Sequence, residues 1–304
     1  MPRKLLSLFD LTSDEIRDLF DRTQWLKEQQ KKGVEHHPLK GKTLAMVFEK
    51  SSTRTRVSFE VGMYQLGGHA LNLTTQASQL GRGETYEDTG RVLSRYVDGI
   101  MFRTFEQVRA EKMAHGATVP VINGLSDLYH PCQLMADMFT VQERKGNIGD
   151  LTIAYVGDGN NMANSWIVAA IILGFQLRIA TPKGYEPAAK VLDKIGTSEF
   201  RHIEITHDAD AAVKDADVVN TDTWISMGQE GDKEAEKKEL FAPYQVNSEL
   251  MLKADPDAIV LHCLPAHRNE EITDEVMDGP QSAILDQAEN RLHVQKAIME
   301  RFMS

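Results

Sequence analysis

Thr43-Leu44-Ala45-Met46-Val47-Phe48, followed by Ser52-Thr53-Arg54-Thr55-Arg56 and an amphipathic segment over 57–66, sets the fold class of this chain. An apolar run of strand length passes through a polar junction into helical periodicity, which spells strand–loop–helix. The first helical turn offers unpaired N–H groups and the positive end of the macrodipole, so this junction suits phosphate. Arginine adds a forked, permanently charged donor. Ser52, Thr53, Arg54 and Thr55 are read as a phosphate cradle. The plainer alternative is a Ser/Thr cap with surface arginines; two arginines flanking Thr55 directly after a strand favour the cradle.

The same unit recurs outward from this stretch. Further strands are expected at 69–73, 99–102, 119–123, 151–156, 178–180, 203–205, 218–221 and 259–261. Helices are expected from Thr12-Ser13-Asp14-Glu15, which resembles a capping start, and over 85–96, 164–173, 187–195 and 288–303. Gly67-Gly68 stops the helix that the cradle opens. Strands alternating with helices imply α/β architecture: two domains, each a parallel sheet with helices on both faces. Pro131 suits a first helical turn, and the helix from there to about Lys145 is read as linking the domains. The length, 304 residues, agrees with about two domains.

The net charge of -11 argues against non-specific binding to nucleic acid or membrane surfaces. A phosphate site must then be built locally. Two cysteines, Cys132 and Cys263, are too few for a disulfide scaffold and suit a reducing compartment. The first residues resemble no signal peptide, and no stretch approaches the ~18 apolar residues of a membrane span. A cytoplasmic location is the expectation.

Other candidate residues stand at strand ends, where open α/β sheets hold their ligands. Arg103 ends an apolar strand and supplies a second cation. His130 and Gln133 lie three apart on one helical turn, able to donate to a carbonyl and accept from an amide. A helix N-terminus tends to keep such an imidazole neutral. Gly157-Asp158-Gly159-Asn160-Asn161 superficially resembles a dinucleotide fingerprint, but Met162 stands where the third glycine belongs; the competing reading is a tight turn presenting Asn161 to a polar small molecule. Asp222 at a strand end suits an ammonium, with Ser226 nearby. The charged stretch 229–239 lacks apolar periodicity and reads as a solvated surface segment or a loop closing over substrate. Cys263, in His262-Cys263-Leu264-Pro265, is read either as a buried structural thiol or as a group near the chemistry; it lacks the spacing of a zinc site. The Leu264-Pro265 bond is a candidate cis peptide.

These motifs together resemble the ornithine carbamoyltransferases. The resemblance rests on Ser52-Thr53-Arg54-Thr55, Gln79 in Ser78-Gln79-Leu80-Gly81, Arg103, His130-Pro131-Cys132-Gln133, Asn161, Asp222, Ser226-Met227-Gly228, His262-Cys263-Leu264-Pro265 and Arg291 in Glu289-Asn290-Arg291. They run in the family's order over nearly the whole chain. The first and fourth are shared with aspartate carbamoyltransferases; the Ser-Met-Gly and His-Cys-Leu-Pro pair points to ornithine. The resemblance implies a carbamoyl-phosphate-binding domain over 1–146, with the 287–304 helix packing back on it, and an ornithine-binding domain over 147–286. It implies that Ser52, Thr53, Arg54, Thr55, Gln79, Arg103, His130, Gln133, Cys263, Leu264 and Arg291 bind carbamoyl phosphate. Asn161, Asp222, Ser226 and Met227 would bind L-ornithine, and Arg103, His130 and Cys263 would serve catalysis. It further implies carbamoyl transfer to the δ-amine, giving citrulline in arginine biosynthesis. No metal or organic cofactor is expected, and Gln79 would complete a neighbouring subunit's site in a homotrimer. Transfer to putrescine or an acylated ornithine, and a nucleotide-binding dehydrogenase, are the competing functions.

Overall fold

The computed structural model describes residues 4–75, 79–195, 202–225 and 234–304, the side chain of Gln79 excepted. It falls into two compact units, Met1–Ala136 with Glu289–Ser304, and Asp137–Ala288.

The first unit contains strands β1 (Lys4–Leu5), β2 (Thr43–Phe48), β3 (His69–Thr74), β4 (Gly99–Arg103) and β5 (Val121–Leu125). They form one parallel sheet in the order β1-β5-β4-β2-β3. Helices α1 (Ser13–Lys31), α2 (Thr53–Gln65), α3 (Tyr86–Leu93) and α4 (Gln107–Gly116) lie between the strands. Helix α5 (Pro131–Lys145) starts in this unit and ends in the other.

Local chemistry explains several boundaries. The α1 start is a capping box: Thr12 Oγ1 accepts from Glu15 N at 3.2 Å, and Glu15 Oε2 accepts from Thr12 N at 3.1 Å. Such a cap is worth about 1 kcal/mol. Ile16, Leu19, Phe20 and Leu26 then bury one face. In β2, Leu44 to Phe48 are all buried, as in a parallel strand covered on both faces. The third helix ends near Leu93, short of the expected 96, where Ser94 Oγ turns back to Gly90 O at 2.6 Å. The α4 segment shows little periodicity in sequence, because only Ala110 and Met113 mark its apolar face.

The second unit repeats the pattern with β6 (Thr152–Val156), β7 (Gln176–Ala180), β8 (Ile203–Thr206), β9 (Val218–Thr221) and β10 (Ile259–His262). Their order is β10-β9-β6-β7-β8, again parallel throughout. Helix α6 (Asn161–Leu173) is apolar nearly all round and buried; Trp166 sits inside, its Nε1 donating to Asn220 Oδ1 at 3.1 Å. The expected helix over 187–195 shrinks to α7 (Ala189–Leu192), because Ala188 is non-helical (φ -56, ψ 128) and its N–H goes to Asn164 Oδ1 at 3.0 Å. Short helices α8 (Ala209–Val213), α9 (Glu234–Phe241), α10 (Ser248–Met251) and α11 (Asp274–Met277) complete this unit. Helix α9 corrects the reading of 229–239 for its described part. From Glu234 the chain is helical, anchored by buried Phe241 and by Lys237, which pairs with Asp158 at 2.8 Å.

Helix α12 (Ile284–Met303) begins in the second unit and returns the chain to the first from Glu289 onward. On it His293 is buried, and its Nδ1 has no hydrogen-bond partner among the described residues. Burial, with help from Lys296 and Lys27 against the opposing Glu289, pushes its pKa down to about 4. The folded ring stays neutral while the unfolded ring protonates below about 6.5. The unfolded state therefore binds more protons, and stability falls as pH drops from about 6.5 toward 4, by about 3 kcal/mol for this group. Denaturant unfolding across this range should show a shallower acid slope in His293→Gln; parallel profiles would contradict the assignment. No helix among the described residues is long and apolar enough to cross a membrane.

Candidate active site

Both sheets reverse their strand order, beside β2 in the first and beside β6 in the second, and ligands of open α/β sheets bind at the carboxyl ends there. In the first unit that point lies between β2 and β4, where Phe48 pairs with Arg103. Ser52 caps α2, its Oγ accepting from Thr55 N at 3.2 Å. The cap leaves the Thr53 and Arg54 N–H groups without an intrahelical acceptor. Arg54 is half-buried, and among the described residues its guanidinium has no partner. Arg56 points elsewhere, pairing with Glu60 at 3.4 Å on the exposed face.

Around Thr55 the side chains form a buried polar cluster. Thr55 Oγ1 accepts from Arg103 Nη1 at 3.4 Å and from Arg291 Nη2 at 3.3 Å. Arg291 Nη1 donates to Gln133 Oε1 at 2.5 Å. With its amide oxygen facing the guanidinium, Gln295 accepts from Arg291 Nε at 3.0 Å and Nη2 at 2.9 Å. Arg103 is 4 % exposed and Arg291 3 %. A ladder irregularity aims Arg103: the β4–β5 register shifts between Phe102 and Arg103, so Gly124 is passed over. Such bulges redirect side chains beside active sites. His130, buried just before α5, has a pKa held well below the imidazole range, first by burial and then by Arg291 and Arg103. Cys132 is buried, and burial pushes its thiol up to about 12, so it is inert.

In the second unit the carboxyl ends of β6, β9 and β10 lie side by side, Val156 against Thr221 and Thr221 against His262. The turn after β6 explains its two glycines. Gly157 has φ +136, and a Cβ on Gly159 would come within 2.4 Å of the backbone at 185–187. Asn160 caps α6, its Oδ1 accepting from Met162 N at 2.8 Å and from the Tyr155 hydroxyl at 3.2 Å. Its Nδ2 donates to Asp222 Oδ2 at 2.8 Å. Asp222 Oδ1 accepts from Thr223 N at 2.8 Å and from Cys263 Sγ at 3.0 Å. Asp158, close by, has its carboxyl raised by burial against the opposing pull of Lys237.

Leu264 follows with φ +60, which a leucine rarely adopts, and the Leu264-Pro265 bond is cis. Its N–H donates to His262 Nδ1 at 2.9 Å, so the ring proton resides on Nε2, 3.0 Å from Glu271 Oε1. Glu271 is fully buried and also accepts from His267 N at 2.6 Å. The carboxylate thereby fixes the tautomer that holds the Cys263-Leu264 turn. Ligand atoms of Asp222, His262 and Cys263 lie within 4.8 Å of one another. Each is already hydrogen-bonded, and a metal on His262 Nδ1 would displace the Leu264 N–H.

Residues 3–143 match the aspartate/ornithine carbamoyltransferase family, carbamoyl-P binding domain, and residues 149–302 its Asp/Orn binding domain. The chain belongs to the aspartate/ornithine carbamoyltransferase family. It is 56 % identical to the ornithine carbamoyltransferase of Syntrophotalea carbinolica over 304 residues, all of both chains. It is 54 % identical to that of Thermococcus kodakarensis, over 99 % of this chain and 96 % of that one. The solved ornithine carbamoyltransferase from Pyrococcus furiosus superposes with a TM-score of 0.95 at 53 % identity, covering 99 % of this chain and 97 % of that one.

Among the residues that the family resemblance singled out, the structure brings together Thr55, Arg103, Gln133 and Arg291, with His130 electrostatically coupled to both arginines. It brings Asp222 to Cys263 and places Asn161 at the first turn of α6. Ser226, Met227 and the Gln79 side chain lie outside the described residues. Sequence reasoning missed Asn160, Glu271 and Gln295. The cap position before α6 was a signal for Asn160; the other two act from loop and helix positions that no motif marks.

Proposed function

We propose that this protein transfers the carbamoyl group from carbamoyl phosphate to the δ-amine of L-ornithine, giving L-citrulline and phosphate. The observation that carries this is the buried Arg103–Thr55–Arg291–Gln133 cluster at the capped start of α2, in a chain of this family. Thr55 Oγ1 already accepts two guanidinium bonds, so its own proton is available to donate. Ser52, Thr53, Arg54, Thr55 and the α2 N–H groups hold the phosphate, with Arg103. Arg103 and neutral His130 donate to the carbamoyl oxygen as negative charge develops on it. Gln133 and the carbonyls of Cys263 and Leu264 receive the carbamoyl amide, and Arg291 orients Gln133 and Thr55.

Asp222, Asn161, Ser226 and Met227 hold the α-amino and α-carboxylate of ornithine. Cys263, bonded to Asp222, stands by the attacking amine, which must be neutral to react. Attack on the carbamoyl carbon forms the new C–N bond and expels phosphate, the departing phosphate takes the proton the amine loses, and positioning supplies much of the rate. Arginine biosynthesis in the cytoplasm is the proposed setting. One solved relative, from Campylobacter jejuni, is an anabolic ornithine carbamoyltransferase, 39 % identical with a TM-score of 0.89 over 98 % of each chain.

A homotrimer with active sites shared through Gln79 completes the reading. Supporting it is a groove of about 820 Å³ along α2 and edge strand β3, lined in part by exposed Val57 and Tyr64. Unpaired sheet edges of this kind invite a partner chain. Citrulline formation should be selective for L-ornithine over putrescine, N-acetylornithine and aspartate. Preferred turnover of another amine would overturn the roles of Asp222 and Asn161 while leaving the cradle; no turnover with any of them would overturn the transfer itself.

A further inference from the structure

A carboxylate is an unexpected neighbour for an anion cradle, yet Glu49 stands three residues before Ser52 with its side chain 8 % exposed. Its Oε1 accepts from the Tyr86 hydroxyl at 2.9 Å. Its Oε2 accepts from the Thr104 hydroxyl and from Phe105 N, the latter at 3.3 Å. Arg109 Nη1 spans both oxygens, at 3.2 and 3.4 Å, and neutralises the charge. The Glu49 N–H donates to Arg103 O at 2.9 Å. One residue at the end of β2 thus gathers α3, α4 and the two residues that follow Arg103.

The β4–β5 ladder shifts register at Phe102/Arg103, so regular strand pairing fixes Arg103 less completely than the residues before it. On its C-terminal side Thr104 N still donates to Leu125 O at 3.0 Å and Phe105 O accepts from Asp127 N at 2.8 Å, and the Glu49 carboxylate adds side-chain anchors to the same two residues, from the Thr104 hydroxyl and Phe105 N. We propose that Glu49 is a positioning residue for Arg103, holding its backbone so that the guanidinium meets Thr55 and the bound phosphate. Glu49 itself does not touch substrate; its charge is spent on Arg109 and the loop. The inference rests on the phosphate-binding function proposed above. A misplacement of about 1 Å in such a constellation costs about 10²-fold in rate.

The test compares Glu49→Gln, Thr104→Ala and a remote control, Arg22→Met, which removes the Arg22–Glu300 ion pair of the same unit. Inorganic phosphate affinity is measured by calorimetry, kcat/KM for carbamoyl phosphate by citrulline formation, and folding by melting temperature. Glu49→Gln should weaken phosphate by about tenfold or more and lower kcat/KM by about 10²-fold. Thr104→Ala, which leaves every charge in place, should weaken phosphate several-fold. Arg22→Met should lower the melting temperature without changing phosphate affinity. Failure of the unaltered protein to bind either phosphate compound would overturn the functional reading and this inference with it. Tight binding there, with equal affinity in Thr104→Ala and in any folded Glu49→Gln, overturns the positioning role alone. So does an equal loss of affinity in Arg22→Met, since the effect would then follow stability.

Discussion

Replacing Arg103 by leucine is expected to lower kcat/KM for carbamoyl phosphate by about 10³-fold. The guanidinium is assigned two tasks, countering the phosphate charge and donating to the carbonyl oxygen in the transition state. Loss of one such donor typically costs about 10²–10³-fold, and here a permanent charge goes with it. The same change leaves Thr55 Oγ1 with a single guanidinium donor, Arg291. Lysine at this position should recover little, because a point charge cannot serve a phosphate and a carbonyl as a planar fork does. Steady-state kinetics with carbamoyl phosphate varied at saturating ornithine gives the answer. A folded Arg103→Leu protein within threefold of the unaltered enzyme would remove Arg103 from the mechanism.

The second large effect belongs to Asp222. Asparagine keeps its shape but surrenders the charge and turns one acceptor into a donor. The carboxylate now accepts from Asn160 Nδ2, Thr223 N and Cys263 Sγ. An ammonium bound there would lose its counter-charge in a buried setting, an effect of about 2–5 kcal/mol. Asp222→Asn should therefore depress kcat/KM for ornithine by about 10²–10³-fold and leave inorganic phosphate affinity unaltered. Loss of phosphate affinity alongside would show that the substitution reaches beyond the amino-acid side.

The two sites differed in how far their chemistry could be read from sequence. Buried parallel strands are apolar on both faces, so β2 and β6 stand out as nearly unbroken runs. Pro131 and the apolar face of Leu134, Met138 and Val141 mark the start and course of α5. By contrast β1 is two residues long, and its pairing to β5 exists only in the folded sheet. The polar junction before α2 carries its chemistry in consecutive residues, so Ser52 to Thr55 can be named from the chain alone. The Gln133–Arg291 bond joins residues 158 positions apart, and periodicity carries no information at that range; only the family resemblance pointed to Arg291. Glu271 is hidden for another reason. Its environment, behind His262 and fully buried, makes it more than a surface acid, and a string of letters does not show burial.

The discontinuity of the first unit also orders events during synthesis. Domains generally fold from the N-terminus as the chain emerges. Here the strands of the first sheet are made before residue 126, whereas Glu289–Ser304 belong to the same unit. Arg291, which braces Thr55 and Gln133, and Gln295, which accepts from Arg291, leave the ribosome only after the whole second unit. A nascent chain displaying its complete first sheet still lacks the cation that orients the proposed phosphate cradle. Residues 289–304, translated after the whole second unit, therefore act as a completion signal, and a chain released before them carries the sequence of the proposed cradle without its bracing.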